Sequence, residues 1–303
     1  MVRVALDLMG GDHAPTAVVE GALLAVDRDA DLEVALVGPV DLAGELLAER
    51  GATGRFRLVA ASEVVGMDED PARAVRSKKD ASIRVAHRQV RDGLADAAVS
   101  VGSTGAALAA SVLTLGRLTP RPALAVLVPA VAGPLVLLDV GASCDATAEQ
   151  LVQHAVLGAA YAQAQLGLDD PAVALLNVGQ EPGKGDQVRK DAHALLTAAP
   201  LRFVGNVEGH DVTLGGKADV IVVDGFTGNV LLKGIEGASL RAGAHDLPSS
   251  AVLLGVDGVT VVGHGAAQAE SVAGCLRAAA AAVRDGLVPR LRTALDRREA
   301  VGS

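Results

Sequence analysis

Asp224, Thr227, Asn229 and Lys233 follow the apolar, β-branched run Ala218–Val223 within one short stretch, ADVIVVDGFTGNVLLKGIEG. An acid, a hydroxyl, an amide and an ammonium delivered by the end of a buried strand are groups that can hold and orient an oxyanion. Lys184, in GQEPGKGD, has glycine on both sides, which lets the backbone approach a ligand closely. Gly10-Gly11-Asp12-His13 and Ser103-Thr104-Gly105 are small-residue turns ahead of helical patterns, where free N–H groups and the helix dipole attract anions. Asn206, Glu208 and Asp211 cluster in GNVEGHD, and His264 follows the apolar run of VVGHGAA. Each has a plainer reading: Asp12, Ser103 and Lys233 as helix caps, GNVEGHD as a turn, Lys184 as a solvated surface lysine, His264 as a satisfied strand-end histidine.

Patterns for several other chemistries are missing. No glycine loop spells GxGxxG, and GQEPGKGD lacks both the spacing and the hydroxyl residue of GxxxxGK[ST]. There is no GxSxG elbow, and none of the 7 histidines is spaced as HExxH. No metal, cofactor or covalent serine is expected. A net charge of −9 and an aromatic content of 1% argue against nucleic acid, which wants cationic grooves and stacking platforms. Cys144 and Cys275 form no CxxC pair and fit a reducing cytoplasm. The N-terminus lacks the apolar run of a signal peptide. The most apolar stretch, 123–138, is interrupted by Pro129, Gly133 and Pro134 and reads as two strands joined by a turn, not a membrane span. A soluble, cytoplasmic protein is expected.

The elements that would position these residues recur as one unit: strand, glycine-bearing polar turn, helical pattern. RVALDLMGGDHAP precedes TAVVEGALLAV, DAAVSVGSTG precedes AALAASVLTL, and LVLLDVGAS precedes ATAEQLVQHAVLGAAYAQAQ. AVALLNVGQEPGKGD before QVRKDAHALLTAA and ADVIVVDGFTG before NVLLKGIEG complete the series. Strands alternating with helices imply a largely parallel sheet covered on both faces, with ligands at the carboxyl ends of its strands. Composition does not change across Asp169-Asp170-Pro171, so residues 1–303 are expected to form one α/β domain, any subdomains lacking a clear linker. The tail from Ser271 to Glu299 reads as one or two helices, with Pro289 at the start or a kink of the second.

In this order the segments resemble the bacterial phosphate acyltransferase family of phospholipid synthesis. The resemblance rests on ALDLMGGDHAPTAVVEGALLA, DEDPARAVRSKKDASIRVA, VSVGSTGAALAA, LLDVGASCDATAEQLVQHAVLGAAYA, LLNVGQEPGKGDQVRKDAHALL, FVGNVEGHDVTLGGKADVIVVDGFTGNVLLKGIEG and LLGVDGVTVVGHGAA. It implies a three-layer α/β sandwich with a largely parallel sheet, like isocitrate and isopropylmalate dehydrogenases and phosphate acetyltransferase. It also implies transfer of an acyl group from acyl carrier protein to inorganic phosphate, with the acyl phosphate passed to a glycerol-3-phosphate acyltransferase. Phosphate is then the nucleophile, which matches the missing serine and cysteine machinery. On this reading Thr227, Asn229 and Lys233 hold phosphate or the oxyanion, oriented by Asp224. Lys184 adds positive charge, and His264 protonates the leaving thiolate or bonds phosphate. Gly11, Asp12, His13, Ser103, Thr104, Gly105, Asn206 and Glu208 complete the expected binding set. Arg73, Arg76, Lys78, Lys79 and Arg84, continued by Arg88 and Arg91, form the densest basic stretch and are expected to dock the acidic carrier, the plainer reading being a solvated helix face.

Two departures from the family pattern stand out. Ser103 occupies the place of the usual asparagine, and the usually long helical connection shrinks to 238–252, with Ser249-Ser250-Ala251 where an aromatic Gly-Gly motif is usual. In the family that connection is associated with a homodimer and peripheral membrane attachment, so both are expected to be weaker here. A coenzyme A thioester reaction on the same fold, and a catalytically lapsed carrier or membrane adaptor, are the alternatives.

Overall fold

The structure is a computed structural model that describes residues 1–243 and 250–302, the last of these, 298–302, by backbone alone. Residues 244–249 of the shortened connection, Ser249 among them, lie outside the described residues. Two compact units appear, Met1–Arg117 with Ser249–Arg284, and Leu118–Pro248 with Asp285–Ser303.

The first unit opens β1 (Val2–Asp7), α1 (Thr16–Arg28), β2 (Leu32–Gly38), α2 (Val40–Glu49), β3 (Arg57–Ala60), α3 (Pro71–Ser77), α4 (Ser82–Arg91), β4 (Ala97–Ser100), α5 (Thr104–Thr114). The second follows with β5 (Ala123–Ala130), β6 (Gly133–Leu138), α6 (Ala148–Leu166), β7 (Val173–Leu176), α7 (Gln187–Ala198), β8 (Phe203–Val207), α8 (Asp211–Leu214), β9 (Val220–Val222) and α9 (Gly225–Arg241). The chain then returns to the first unit with β10 (Ser250–Leu254), β11 (Val259–Gly263) and α10 (Ala269–Arg284), and α11 (Leu287–Gly302) ends in the second.

In the first unit the strand order is β3-β2-β1-β4-β11-β10, parallel except for β10. Register is fixed by apolar pairs such as Val4 beside Val34 and Val99 beside Val261. The sheet of the second unit runs β5-β6-β9-β7-β8, parallel except for β5, which pairs with β6 as an antiparallel hairpin over 123–138. Pro289 falls in the first turn of α11, where its missing N–H costs nothing.

With so few aromatics the core is built from Val, Leu and Ala, and small residues let elements approach closely. At Gly158 of α6, a Cβ would sit 2.7 Å from Val220 Cγ1 and 2.8 Å from Leu138 Cδ2, so this helix lies directly on β6 and β9. α6 is held by a capping box, Gln150 N–H donating to Thr147 Oγ1 at 3.3 Å and Thr147 N–H to Gln150 Oε1 at 3.0 Å. Leu138, Leu151, Leu157 and Ile221 are fully buried around it, and truncating one to alanine would cost about 2–5 kcal/mol.

One element differs from the sequence reading. The strand expected over 218–223 is only Val220–Val222, and the helix begins at Gly225 instead of Asn229. Two glycines in a first turn argue against a helix on propensity. Here they are required by packing: a Cβ at Gly225 would lie 2.8 Å from Asp139 Oδ2, and one at Gly228 would collide with the Asp139 carbonyl oxygen.

Candidate active site

Asp224 is the N-cap of α9. Thr227 donates its backbone N–H to Asp224 Oδ1 at 2.9 Å and its hydroxyl to Oδ2 at 2.8 Å. Arg189, in the first turn of α7, pairs its guanidinium with the same carboxylate and with Asp186 Oδ2 at 2.9 Å. Burial works against the Asp224 charge, but the two Thr227 bonds and the Arg189 charge outweigh it and hold the carboxyl below its ordinary range. The acid therefore orients Thr227 and Arg189 while remaining charged.

Directly beneath lies Asp139, at the end of β6. It is fully buried and accepts four backbone N–H groups: Leu124 at 2.9 Å, Gly141 at 3.0 Å, Ala142 at 2.9 Å and Ser143 at 2.6 Å. Burial raises its pKa, against the pull of these donors and of nearby His154, whose own pKa burial lowers. Asn229 Nδ2 donates to the Val140 carbonyl at 2.9 Å, so the first turn of α9 is clamped onto the DVGAS turn. Among the described residues, Ser143 Oγ and Asn206 Oδ1 are buried without a hydrogen-bond partner. Lys233 lies one turn beyond Asn229 on α9, exposed.

Lys184 is on the exposed turn between β7 and α7. Its N–H donates to the Glu181 carbonyl at 3.0 Å and its carbonyl accepts from Asn177 Nδ2 at 3.1 Å. Asn206 Nδ2 donates to that Glu181 carbonyl at 2.9 Å, so Asn206 and Asn177 brace the Lys184 turn from β8 and from the end of β7. Glu208 follows β8 with its N–H on Asp211 Oδ2 at 2.9 Å, and Asp211 also takes Lys217 Nζ at 3.0 Å.

The other sequence candidates belong to the first unit, where three strand ends meet. A Cβ at Gly11 would lie 2.9 Å from the Val101 carbonyl and 3.1 Å from that of Gly265, and Asp12 N–H donates to Gly265 O at 2.8 Å. Asp12, His13, Thr104 and His264 are exposed at these turns. Beneath them Asp7 is buried, with Ser100 Oγ donating to its Oδ2 at 2.8 Å and Gly102 N–H donating to Ser100 Oγ at 3.1 Å. Burial pushes the Asp7 carboxyl up, against the Ser82 and Ser100 hydroxyls and the Met9 N–H. Ser103 caps α5 by accepting from Ala106 N–H at 3.4 Å, and Gly105 leaves room for Pro71 Cγ, 2.8 Å from where a Cβ would be.

The basic stretch spans α3 and α4, and not all of it is free. Lys78 Nζ is 2.7 Å from Glu69 and from the Val64 carbonyl, and Arg84 donates to the Val75 carbonyl at 3.0 Å. Arg88 pairs with Asp80 and Arg91 with Asp92. Arg73, Arg76 and Lys79 are exposed.

Asp7, Ser100, Asp139 and Arg189 escaped the sequence reading. Asp7 and Asp139 end apolar runs, and a lone acid there is the signal that could have marked them. Arg189 is one of two adjacent basic residues in QVRKD and carried none.

Comparison with known proteins adds the following. The family described as fatty acid synthesis protein matches residues 2–244. A phosphate acyltransferase of Desulfitobacterium hafniense (strain Y51) is 41% identical, covering 98% of each chain. That of Heliobacterium modesticaldum is 44% identical over 96% of this chain and 97% of its own. Among solved structures, a phosphotransacetylase from Streptococcus pyogenes superposes with a TM-score of 0.66 at 19% identity, covering 100% of this chain and 94% of its own. A branched-chain phosphotransacylase from Enterococcus faecalis V583 gives 0.66 at 20% identity over 93% and 99%. These structures share the fold.

Proposed function

Because the chain belongs to the phosphate acyltransferase family of fatty acid synthesis proteins, we propose that it transfers an acyl group from acyl carrier protein to inorganic phosphate. A phosphate oxygen attacks the thioester carbonyl, the carbon–sulfur bond breaks, and acyl phosphate and the free carrier thiol leave. The observation that carries this reading is the Asp224–Thr227–Arg189 cluster at a strand end, where one carboxylate holds a guanidinium and a hydroxyl in fixed geometry. Preorganised donors of this kind stabilise developing oxyanion charge, and positioning supplies the rest.

Lys184 and Lys233 bring positive charge to phosphate, and Thr227 and Asn229 hold phosphate or the oxyanion, with Asp224 orienting them. In the first unit Gly11, Asp12, His13, Ser103, Thr104 and Gly105 bind substrate, and His264 protonates the leaving thiolate or bonds phosphate. Asn206 and Glu208 support the Lys184 side. Arg73, Arg76 and Lys79 dock the carrier. The product passes to a glycerol-3-phosphate acyltransferase, and the enzyme works as a cytoplasmic homodimer with at most peripheral membrane contact. No helix among the described residues is long and apolar enough to cross a membrane.

The test is phosphate-dependent release of free carrier from acyl-carrier protein by the purified chain. No release from acyl-carrier protein or acyl coenzyme A, with or without phosphate, overturns the reading. The fold shared with phosphotransacetylases favours coenzyme A thioesters as the second reading, and a preference for acyl coenzyme A at equal concentration selects it.

A further inference from the structure

α9 has two unlike faces. Gly225, Gly228 and Leu232 are buried, the two glycines against Asp139, while Phe226, Thr227, Val230 and Leu231 turn the other way. Those four line an open pocket of about 550 Å³ together with Leu176 and Val178 at the β7 end. The size is that of a small-molecule site, about 300–1,000 Å³. Phe226 and Val230, one turn apart on the same helix face, remain 64% and 57% exposed, and Val178 79%. Grouped apolar side chains left open to solvent mark a surface that something apolar covers.

The polar part of the lining is Asn177 at the β7 end, Asp186 and Arg189 at the start of α7, and Thr227 of α9, with Arg189 and Thr227 both held by Asp224. The lining thus combines hydrocarbon with a few polar groups, as a ligand with a polar end and a hydrocarbon remainder requires. We propose that this pocket receives the acyl chain of the substrate, with the carbonyl end toward Thr227 and Arg189, and that it sets chain-length preference. The inference rests on the acyl transfer proposed above. Its occupant is the hydrocarbon chain, because Thr227, assigned to phosphate or the oxyanion, is itself part of the lining beside Phe226, Val230 and Leu231.

Gly209 provides a clean test. It lines the pocket, and a Cβ there would meet only Leu231 Cδ1, at 3.8 Å, so a larger side chain enters open space without strain. Each buried methylene contributes about fourfold in binding. Gly209→Leu, displacing about two methylenes, should lower the palmitoyl-over-butyryl ratio of kcat/KM about tenfold, with butyryl transfer and melting temperature kept. Val230→Asn, at an exposed position, should lower the same ratio without filling space. Wild-type chain that releases carrier with phosphate, while both variants keep the wild-type ratio, overturns the pocket assignment alone. Wild-type chain with no phosphate-dependent release overturns the acyl-transfer reading and this inference together. Unchanged ratios with a shifted sedimentation coefficient would assign the face to a second copy of the chain instead.

Discussion

Arg189 and Asp224 form an ion pair between the first turn of α7 and the N-cap of α9, with side chains only 17% and 9% exposed. The pair joins two strand–helix units at their ligand ends, and each partner makes further bonds, to Asp186 and Thr227. Removing one member leaves the other charge largely shielded from water. Arg189→Ala should destabilise the second unit by about 1–3 kcal/mol, read as a lower urea midpoint. Arg189→Lys keeps the charge but loses the planar fork, so it should raise the phosphate KM more than it lowers stability.

The same pair fixes a pH dependence. Asp224 has a depressed carboxyl pKa in the folded chain, so its contribution is present above the unfolded value, about 3.9, and disappears as pH falls through the lower folded one. The stability gap between wild type and Asp224→Asn should be full at neutral pH and close in strong acid. A gap independent of pH from neutrality to strong acid would show that the carboxylate charge contributes nothing.

Asp7 runs the opposite way. Its pKa is raised by burial, so stability falls as pH climbs from the unfolded value toward the folded one. Asp7→Asn removes the ionisation, and the variant should be more stable than wild type at neutral pH, with the advantage shrinking in acid. Thermal melts across pH read this directly.

Lys184→Ala and Lys233→Ala should each raise the phosphate KM with melting temperature unchanged, since both side chains are exposed. Unaltered phosphate kinetics in both variants would remove the lysines from the site.

Arg76→Glu with Lys79→Glu should weaken carrier binding, most at low salt, where exposed charges act over a longer range. Lys78→Ala should instead lower stability, because its ammonium already holds Glu69 and the Val64 carbonyl. Carrier affinity indifferent to the double reversal and to salt would place the docking surface elsewhere.

The sequence makes the strand–turn–helix repeat legible because each strand is a dense apolar run ended by glycine and a polar residue. The 123–138 hairpin is legible for the same reason, its break marked by Pro129, Gly133 and Pro134. What stays hidden depends on partners distant in the chain. Nothing local says that Gly225 and Gly228 are helical, because the reason is Asp139, far upstream. Likewise, seven basic residues between 73 and 91 look alike in the sequence, and it takes partners such as Glu69, Asp80, Asp92 and the Val64 and Val75 carbonyls to set the engaged ones apart. Arg189 draws its meaning from Asp224 in the same way.

The return of the chain to its first unit has a consequence for synthesis on the ribosome. β4 pairs with β1 on one side, but its other neighbour is β11, residues 259–263. Until most of the polypeptide has emerged, one edge of β4 presents open N–H and C=O groups that another chain could pair with. The second unit, nearly all of it encoded earlier, can collapse while the first still waits for its last strands. Nascent chains halted before Gly263 should therefore aggregate, whereas those extended through α10 should not. The late strands act as a seal as well as a scaffold.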